Sequence, residues 1–322
     1  MTKGSISLLL DRPYYIAGEI ITGNCMLTIT EPVQATSLII KWKGMERTKF
    51  EISRTETYQQ NGETKFRTVV DKHKQEQTFF KTQLLLANYQ GGTVAPGTYQ
   101  FPFQFQLPNE LPGNFNDHKH VLGSEYRGAI VYKVKSNLDN VVEKDIKDTK
   151  YLFVVPRSMT IPQPVTCKNE KSFLFGGSGK LYMDVQIGKN VFQPGEMIPV
   201  HVVIDNQSKK KVDKLKVKLM RDITLKCKGH NYSYSEEVNR NEFQGVDKKA
   251  KLDNVLNYQL PKDIYPSTTG SMISCKYHLD IECDVAMAFD LEVHPVVEII
   301  YMPAMGQPVF NIYGNMPKGC WQ

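Results

Sequence analysis

Polar and apolar residues alternate by twos along most of this chain, which is the pattern of strands with one face buried. Ser5-Ile6-Ser7-Leu8 opens the series. It continues through Ile39-Ile40-Lys41-Trp42-Lys43, the run from Tyr99 to Leu107, the run from Ala129 to Lys135, and Leu215-Lys216-Val217-Lys218-Leu219. Turn-forming pairs separate these runs: Asn61-Gly62, Pro96-Gly97, Pro112-Gly113 and Pro194-Gly195 stand where strands must reverse. Phe79–Tyr89 is the one stretch where a helix competes, and its β-propensity is nearly as good. Many short strands with regular turn signals predict an all-β chain built of immunoglobulin-like sandwiches.

An internal repeat organises the pattern. Tyr14-Tyr15-Ile16-Ala17-Gly18-Glu19-Ile20-Ile21 recurs 177 positions later as Val191-Phe192-Gln193-Pro194-Gly195-Glu196-Met197-Ile198. Further on, Gln106-Leu107-Pro108-Asn109-Glu110-Leu111-Pro112 returns as Gln259-Leu260-Pro261-Lys262-Asp263-Ile264, and a strand containing a tyrosine follows in each half, Tyr132 and Tyr277. The chain is therefore two copies of one domain. Three prolines between Val155 and Pro164 keep that segment extended and mark the junction. The expected division is an N-terminal sandwich over 1–156, a linker over 157–165, a C-terminal sandwich over 166–302 and a short tail over 303–322.

The repeated residues have a mechanical reading. Gly18 and Gly195 suit a tight turn because glycine reaches positive φ without steric cost, and Glu19 and Glu196 are placed to face solvent or to accept hydrogen bonds from turn amides. Pro108 and Pro261 cannot donate to a ladder, so each is expected to end a strand and start the crossing to the opposite sheet. The Phe101-Phe103-Phe105 strand buries one face between sheets about 10 Å apart.

The same residues carry a resemblance to arrestins, and in particular to the arrestin-domain-containing proteins called α-arrestins. Tyr15-x-x-Gly18-Glu19-x-Ile21-x-Gly23 resembles the family's opening hairpin. The stretch from Pro96 to Pro108, with Leu111-Pro112 and Phe115 after it, resembles its most recognisable segment. Phe192-x-Pro194-Gly195-Glu196-x-Ile198, leading to Ile204-Asp205-Asn206-Gln207-Ser208, is similar to the start of the C-terminal arrestin domain. The resemblance implies two tandem seven-to-eight-stranded sandwiches joined by a short linker. Its functional implication is a non-enzymatic adaptor that binds cytoplasmic tails of receptors or transporters and links them to endocytic, sorting or ubiquitination machinery. Two alternatives stay open: a coat component similar to retromer's arrestin-like subunit, and a peripheral phosphoinositide-binding module. Family members that sense phosphorylated tails use basic residues on the first strand, where this chain offers Lys3 and Arg12 without an adjacent lysine pair. Pro13 stands where an acidic residue of the family's buried charge cluster would follow Arg12, and no Pro-Pro-x-Tyr motif for ligase recruitment occurs.

Composition and charge narrow the chemistry. Net charge is +6 over 322 residues, shared evenly between the halves, which is mild for a nucleic-acid binder and leaves phosphorylated tails or anionic lipid as partners. Within this balance, lysines alternate along two strands. Lys214, Lys216 and Lys218 oppose Leu215, Val217 and Leu219, with Lys209-Lys210-Lys211 in the preceding turn, and Lys41 and Lys43 repeat the arrangement in the first half. Lys3, Arg12 and these lysines are the candidate anion-binding residues; the bland reading is a solvated face that blunts edge pairing. No nucleophile elbow, phosphate loop or metalloprotease motif is present, so no catalytic residue and no cofactor are expected. Gly176-Gly177-Ser178-Gly179 precedes a strand and reads as a linker. His118-x-His120 lacks a third ligand for a metal, and Cys275 and Cys283 read as core thiols. With six scattered cysteines, no apolar run near the ~18 residues of a membrane span and no signal-like start, the chain is expected in the cytoplasm, recruited to plasma or endosomal membranes.

Overall fold

A computed structural model describes residues 3–158, 160–173, 178–285 and 288–301. Two compact units divide between Arg157 and Ser158, and the first also takes in Leu225–Tyr232 and Thr268–Ile273. No helix occurs among the described residues, so none is long and apolar enough to cross a membrane.

The first half forms β1 (Gly4–Leu10), β2 (Tyr14–Ile16), β3 (Ile20–Ile29), β4 (Val33–Gln60), β5 (Glu63–Asn88), β6 (Thr93–Val94), β7 (Gly97–Gln106), β8 (Phe115–Val121), β9 (Ser124–Asn140) and β10 (Ile146–Val155). One sheet runs β1-β3-β7; the other runs β2-β10-β9-β4-β5, with β6 on β4 and β8 on β9. Alternation decides what each strand buries. Leu38, Ile40 and Trp42 of β4, and Tyr132, Val134 and Leu138 of β9, point into the core. From the opposite sheet, Phe103 and Phe105 of β7 meet the Trp42 ring at centroid distances of 5.8 and 5.0 Å. These aromatic contacts close the sandwich.

The second half forms β11 (Val165–Phe173), β12 (Gly179–Ile187), β13 (Val191–Phe192), β14 (Met197–Asn206), β15 (Val212–Cys227), β16 (His230–Val246), β17 (Lys251–Gln259), β18 (Thr268–Thr269), β19 (Ile273–Val285), β20 (Leu291–Val293) and β21 (Val296–Ile299). Its sheets run β11-β12-β14-β17 and β13-β21-β19-β15-β16, with β18 and β20 on β19. The duplication is visible strand by strand: β12-β14-β17 repeats β1-β3-β7, and β21-β19-β15-β16 repeats β10-β9-β4-β5. Each half also has one parallel pair, β2 with β10 and β13 with β21. Cys275 and Cys283 are wholly buried in β19, the latter with its Sγ 3.7 Å from Met183 Sδ on β12. Burial pushes the Cys283 thiol up to about 12.

The repeated motif is the same turn made twice. Gly18 and Gly195 take φ of 86° and 78°. Glu19 Oε2 accepts from the Ile16 amide at 2.8 Å, and Glu196 Oε2 from the Gln193 amide at 2.9 Å. The carbonyls of the same glutamates take the amides of Leu107 and Leu260 at 2.9 and 3.0 Å. Of the two roles open to these glutamates, capping the turn is the one found. Strands β7 and β17 end at Gln106 and Gln259, two residues before Pro108 and Pro261, as a missing donor requires. The two repeat tyrosines also match: Tyr132 Oη donates to Pro112 O at 2.5 Å and Tyr277 Oη to Tyr265 O at 2.9 Å.

Two expectations are corrected. Phe79–Asn88 is strand, not helix, because β5 pairs with β4 from Gln60 opposite Glu63 to Ser37 opposite Asn88, with two register shifts that skip Phe79 and Leu86, and that ladder overrides any local helical preference. Among the described residues strands number ten and eleven in the two halves, more than seven to eight, since short segments such as β2, β6, β13 and β18 pair at sheet margins. Gly176, Gly177 and the tail from 303 lie outside the described residues; Gly179 does open a strand.

One polar group is buried deep in the first unit. Glu46, on β4, is 0% exposed. Its Oε1 accepts from the amides of Ser271 and Met272 at 2.8 and 3.0 Å and from the Ser271 hydroxyl. Gly270 is required beside it, because a Cβ there would collide with Oε2.

Candidate anionic-partner surface

The face of β4 turned away from the core carries lysines at alternate positions, and the cross-strand register multiplies them. Lys43 stands opposite Lys133 of β9 and opposite Lys81 of β5. In the next row Lys41 stands opposite Lys135 of β9 and Gln83 of β5. Directly opposed residues share a face at about 5 Å, so five ammonium groups occupy two adjacent rows. Like charges opposed in this way repel, and Lys133 records it. Burial, reinforced by the charges of Arg47, Lys43 and Lys135, holds its ammonium below the ordinary lysine value. Glu76 is the carboxylate answering this cluster, 2.6 Å from Lys43 and 3.3 Å from Arg47. Among the described residues Lys41, Lys81, Lys133 and Lys135 have no side-chain hydrogen bond or ion pair.

The corresponding face of the second half is built oppositely. Leu215, Val217 and Leu219 are wholly buried, so Lys214, Lys216 and Lys218 do share the other face, as alternation requires. Lys216 lies 2.8 Å from both Glu282 and Asp284; Lys218 binds Asp280 at 3.2 Å and also Glu282; Lys214 lies 2.6 Å from Glu242. Lys216 and Lys218 are only 17% and 15% exposed at the side chain. A free cationic row is thus absent here, because β19 presents carboxylates where β9 presents lysines: Tyr132 and Tyr277 are equivalent, and Lys133 and Lys135 give way to His278 and Asp280.

Against this geometry the comparisons with known proteins are specific. The sequence pattern described as Arrestin (or S-antigen), N-terminal domain, matches residues 6–160, and that of its C-terminal domain matches residues 177–303. The chain belongs to the arrestin family. Arrestin domain-containing protein A of Dictyostelium discoideum is 32% identical over 295 residues, 90% of this chain and 50% of that protein. Arrestin domain-containing protein B of the same organism is 24% identical over 298 residues, 88% of this chain and 43% of the relative. Arrestin domain-containing protein 1 of Rattus norvegicus is 25% identical over 219 residues, 64% and 47% of the two chains. The chain spans about half the length of these relatives or less.

In this arrestin the remaining candidate residues are scattered. Lys3 pairs with Glu143 at 2.8 Å. Arg12 is held by Glu19 at 3.3 Å and Asp11 at 3.5 Å and lies 5.0 Å from the centroid of the Tyr15 ring. Lys211 reaches Asp247 at 3.3 Å, Lys210 Nζ stands 6.0 Å from the Phe173 ring, and the exposed Lys209 is anchored through its amide to Ser178 O. His118 pairs with Glu125 at 2.6 Å. The structure brings together Lys41 and Lys43 of the sequence candidates, and adds Lys81, Lys133 and Lys135. Lys133 and Lys135 alternate visibly in the sequence; their convergence on Lys41 and Lys43 depends on a register that crosses about ninety residues of chain.

Proposed function

We propose that this chain is a non-enzymatic arrestin-type adaptor that binds phosphorylated cytoplasmic tails of receptors or transporters on the Lys41–Lys43–Lys81–Lys133–Lys135 face and presents them to endocytic, sorting or ubiquitination machinery. The observation that carries this reading is the set of four lysines on one sheet face that form no ion pair among the described residues. Family membership and the relatives' arrestin-domain architecture support the adaptor role. An extended tail fits such a surface because phosphate groups two residues apart lie about 7 Å apart, comparable to the spacing of alternate lysines along β4. Each lysine near an anionic group contributes about 1 kcal/mol, enough in sum for sub-millimolar recognition but not for tight constitutive binding.

Salt dependence tests it. Anisotropy of a labelled tail peptide carrying two phosphoserines is expected to show binding that weakens about tenfold between 0.05 and 0.5 M salt, because exposed charges are screened beyond a few Å at high ionic strength. The unphosphorylated peptide is expected not to bind measurably. Equal affinity for the two peptides removes the phosphate part of the proposal, and binding only to phosphoinositide vesicles favours the lipid alternative.

A further inference from the structure

Strands β19 and β20 of the second unit carry a cluster that the lysine argument leaves unused. Glu282 of β19 stands directly opposite Glu292 of β20, and like charges so placed are destabilising unless a cation lies between or beside them. Asp280 is on the same face as Glu282, two residues earlier, and His294 lies beyond Glu292. The local ammonium groups are already committed: Lys216 to Glu282 and Asp284, Lys218 to Asp280 Oδ2 and Glu282, and Lys171 to the carbonyls of Phe289 and Asp290. That leaves Asp280 Oδ1, which is buried and has no hydrogen-bond donor, on a residue only 9% exposed. The Glu292 side chain has no hydrogen bond among the described residues.

His294 stands between these two carboxylates without bonding either. Its Nδ1 is 3.6 Å from Asp280 Oδ1 and its Nε2 3.7 Å from Glu292 Oε2, both too long for a hydrogen bond. The two distances involve opposite nitrogens of one ring, and a single ion takes only one of them. Ligands held at about 2.1 Å around a tetrahedral ion lie about 3.4 Å apart, which fits the 3.6 Å between Nδ1 and Asp280 Oδ1. One oxygen from each carboxylate and one imidazole nitrogen already lie within 4.8 Å of one another. We infer that Asp280, Glu292 and His294 bind a divalent first-row transition-metal ion. One imidazole with two carboxylates matches Zn²⁺ or Mn²⁺ better than Ca²⁺ or Mg²⁺, which take oxygen ligands throughout.

His294 also lines a cleft of about 380 Å³, together with Asp222, Lys276, Tyr277, His278 and Val296. His278 is the nearest further nitrogen donor there, ring to ring 5.7 Å from His294. Its Nδ1 is 2.7 Å from Asp222 Oδ2, a carboxylate–histidine contact of the kind that orients a metal-facing imidazole. Lys276 is the one cation in the cleft wall. The site is independent of the lysine face on β4, so the fate of one proposal does not decide the other.

Zinc is the probe. The full chain, stripped with chelator and kept reduced, is titrated with Zn²⁺ by calorimetry alongside Glu292→Gln, His294→Ala and a control, His201→Ala, which alters an exposed histidine paired with Asp253. Glu292 and His294 side chains are 42% and 53% exposed, and unchanged circular dichroism and melting temperature verify that both variants fold. The parent and the control are expected to bind one equivalent with Kd of about 1 μM, and each ligand variant to weaken binding at least about tenfold. Absence of saturable binding in the parent overturns the site, as does undiminished affinity in both ligand variants, which would assign the zinc to cysteine thiols.

Discussion

Glu46→Ala is expected to lower the stability of the first unit by about 3 kcal/mol. Truncation strands the buried Met272 amide without an acceptor, while the exposed Ser271 keeps access to water and, through its hydroxyl, to Gln77 Oε1 at 3.1 Å. Each buried donor left unsatisfied costs about 1–3 kcal/mol, and the cavity adds to the total. Glu46→Gln keeps an acceptor oxygen of nearly the same shape and is expected to cost about 1 kcal/mol. Urea denaturation followed by Trp42 fluorescence, in a Trp321→Phe background, reads the change, since Trp42 sits in the core of the unit. A shift in Glu46→Ala no larger than that of Glu46→Gln would show that these hydrogen bonds contribute little.

Lys218→Met is expected to cost about 3 kcal/mol at neutral pH, because removing one partner leaves buried charge uncompensated. Glu282 is only 4% exposed and shares Lys216 and Lys218 as its counterions. Burial pushes its carboxyl up, but the hydrogen bonds from Lys216 and Lys218 outweigh this and hold it below the ordinary carboxylate range. A depressed carboxylate stabilises the fold above its unfolded pKa, about 4.3, and that stability is lost as pH falls through the folded value. Lys216 is raised by its bonds to Asp284 and Glu282, so its contribution is complete below the ordinary lysine value and lost only as pH rises through the folded one. The network is therefore at full strength between about pH 5 and 10. The deficit of Lys218→Met is expected to be largest in that window and to shrink as pH falls below the unfolded carboxyl value, about 4.3, toward the lower folded value of Glu282. Thermal melts at pH 3.5 and 7.5 check it; an equal deficit at both would show that lost packing of the lysine stem, rather than charge, is what matters.

The fold was legible because its signals are local and occur twice. Period-two alternation located β1, β4, β7, β9 and β15, and the Gly18-Glu19 and Gly195-Glu196 turns repeat down to the same two hydrogen bonds. What escaped was long-range. The length of β5, and hence the loss of the helical alternative at Phe79–Tyr89, follows from its ladder with β4 rather than from its own residues. The candidate surface was half legible for the same reason. Lys41-x-Lys43 and Lys216-x-Lys218 look alike in sequence, and the difference between a free row and a neutralised one lies in strands 60 to 90 residues away. Lys133 and Lys135 come beside the first pair; Asp280 and Glu282 come beside the second. Metal ligation was equally hidden, since His294 and Asp280 meet only through the β19–β20 hairpin.

The central claim is that anionic tails bind the first unit's lysine face. It is tested most directly by comparing two variants for binding of the doubly phosphorylated tail peptide. Lys41→Ala/Lys81→Ala/Lys133→Ala/Lys135→Ala removes four lysines that form no ion pair among the described residues, so the fold is left intact, and affinity is expected to fall about 1000-fold, which abolishes measurable binding. Lys209→Ala/Lys211→Ala/Lys214→Ala removes exposed lysines of the second half and is expected to change affinity less than about threefold. Retained binding in the first variant, or an equal loss in the second, would contradict the account.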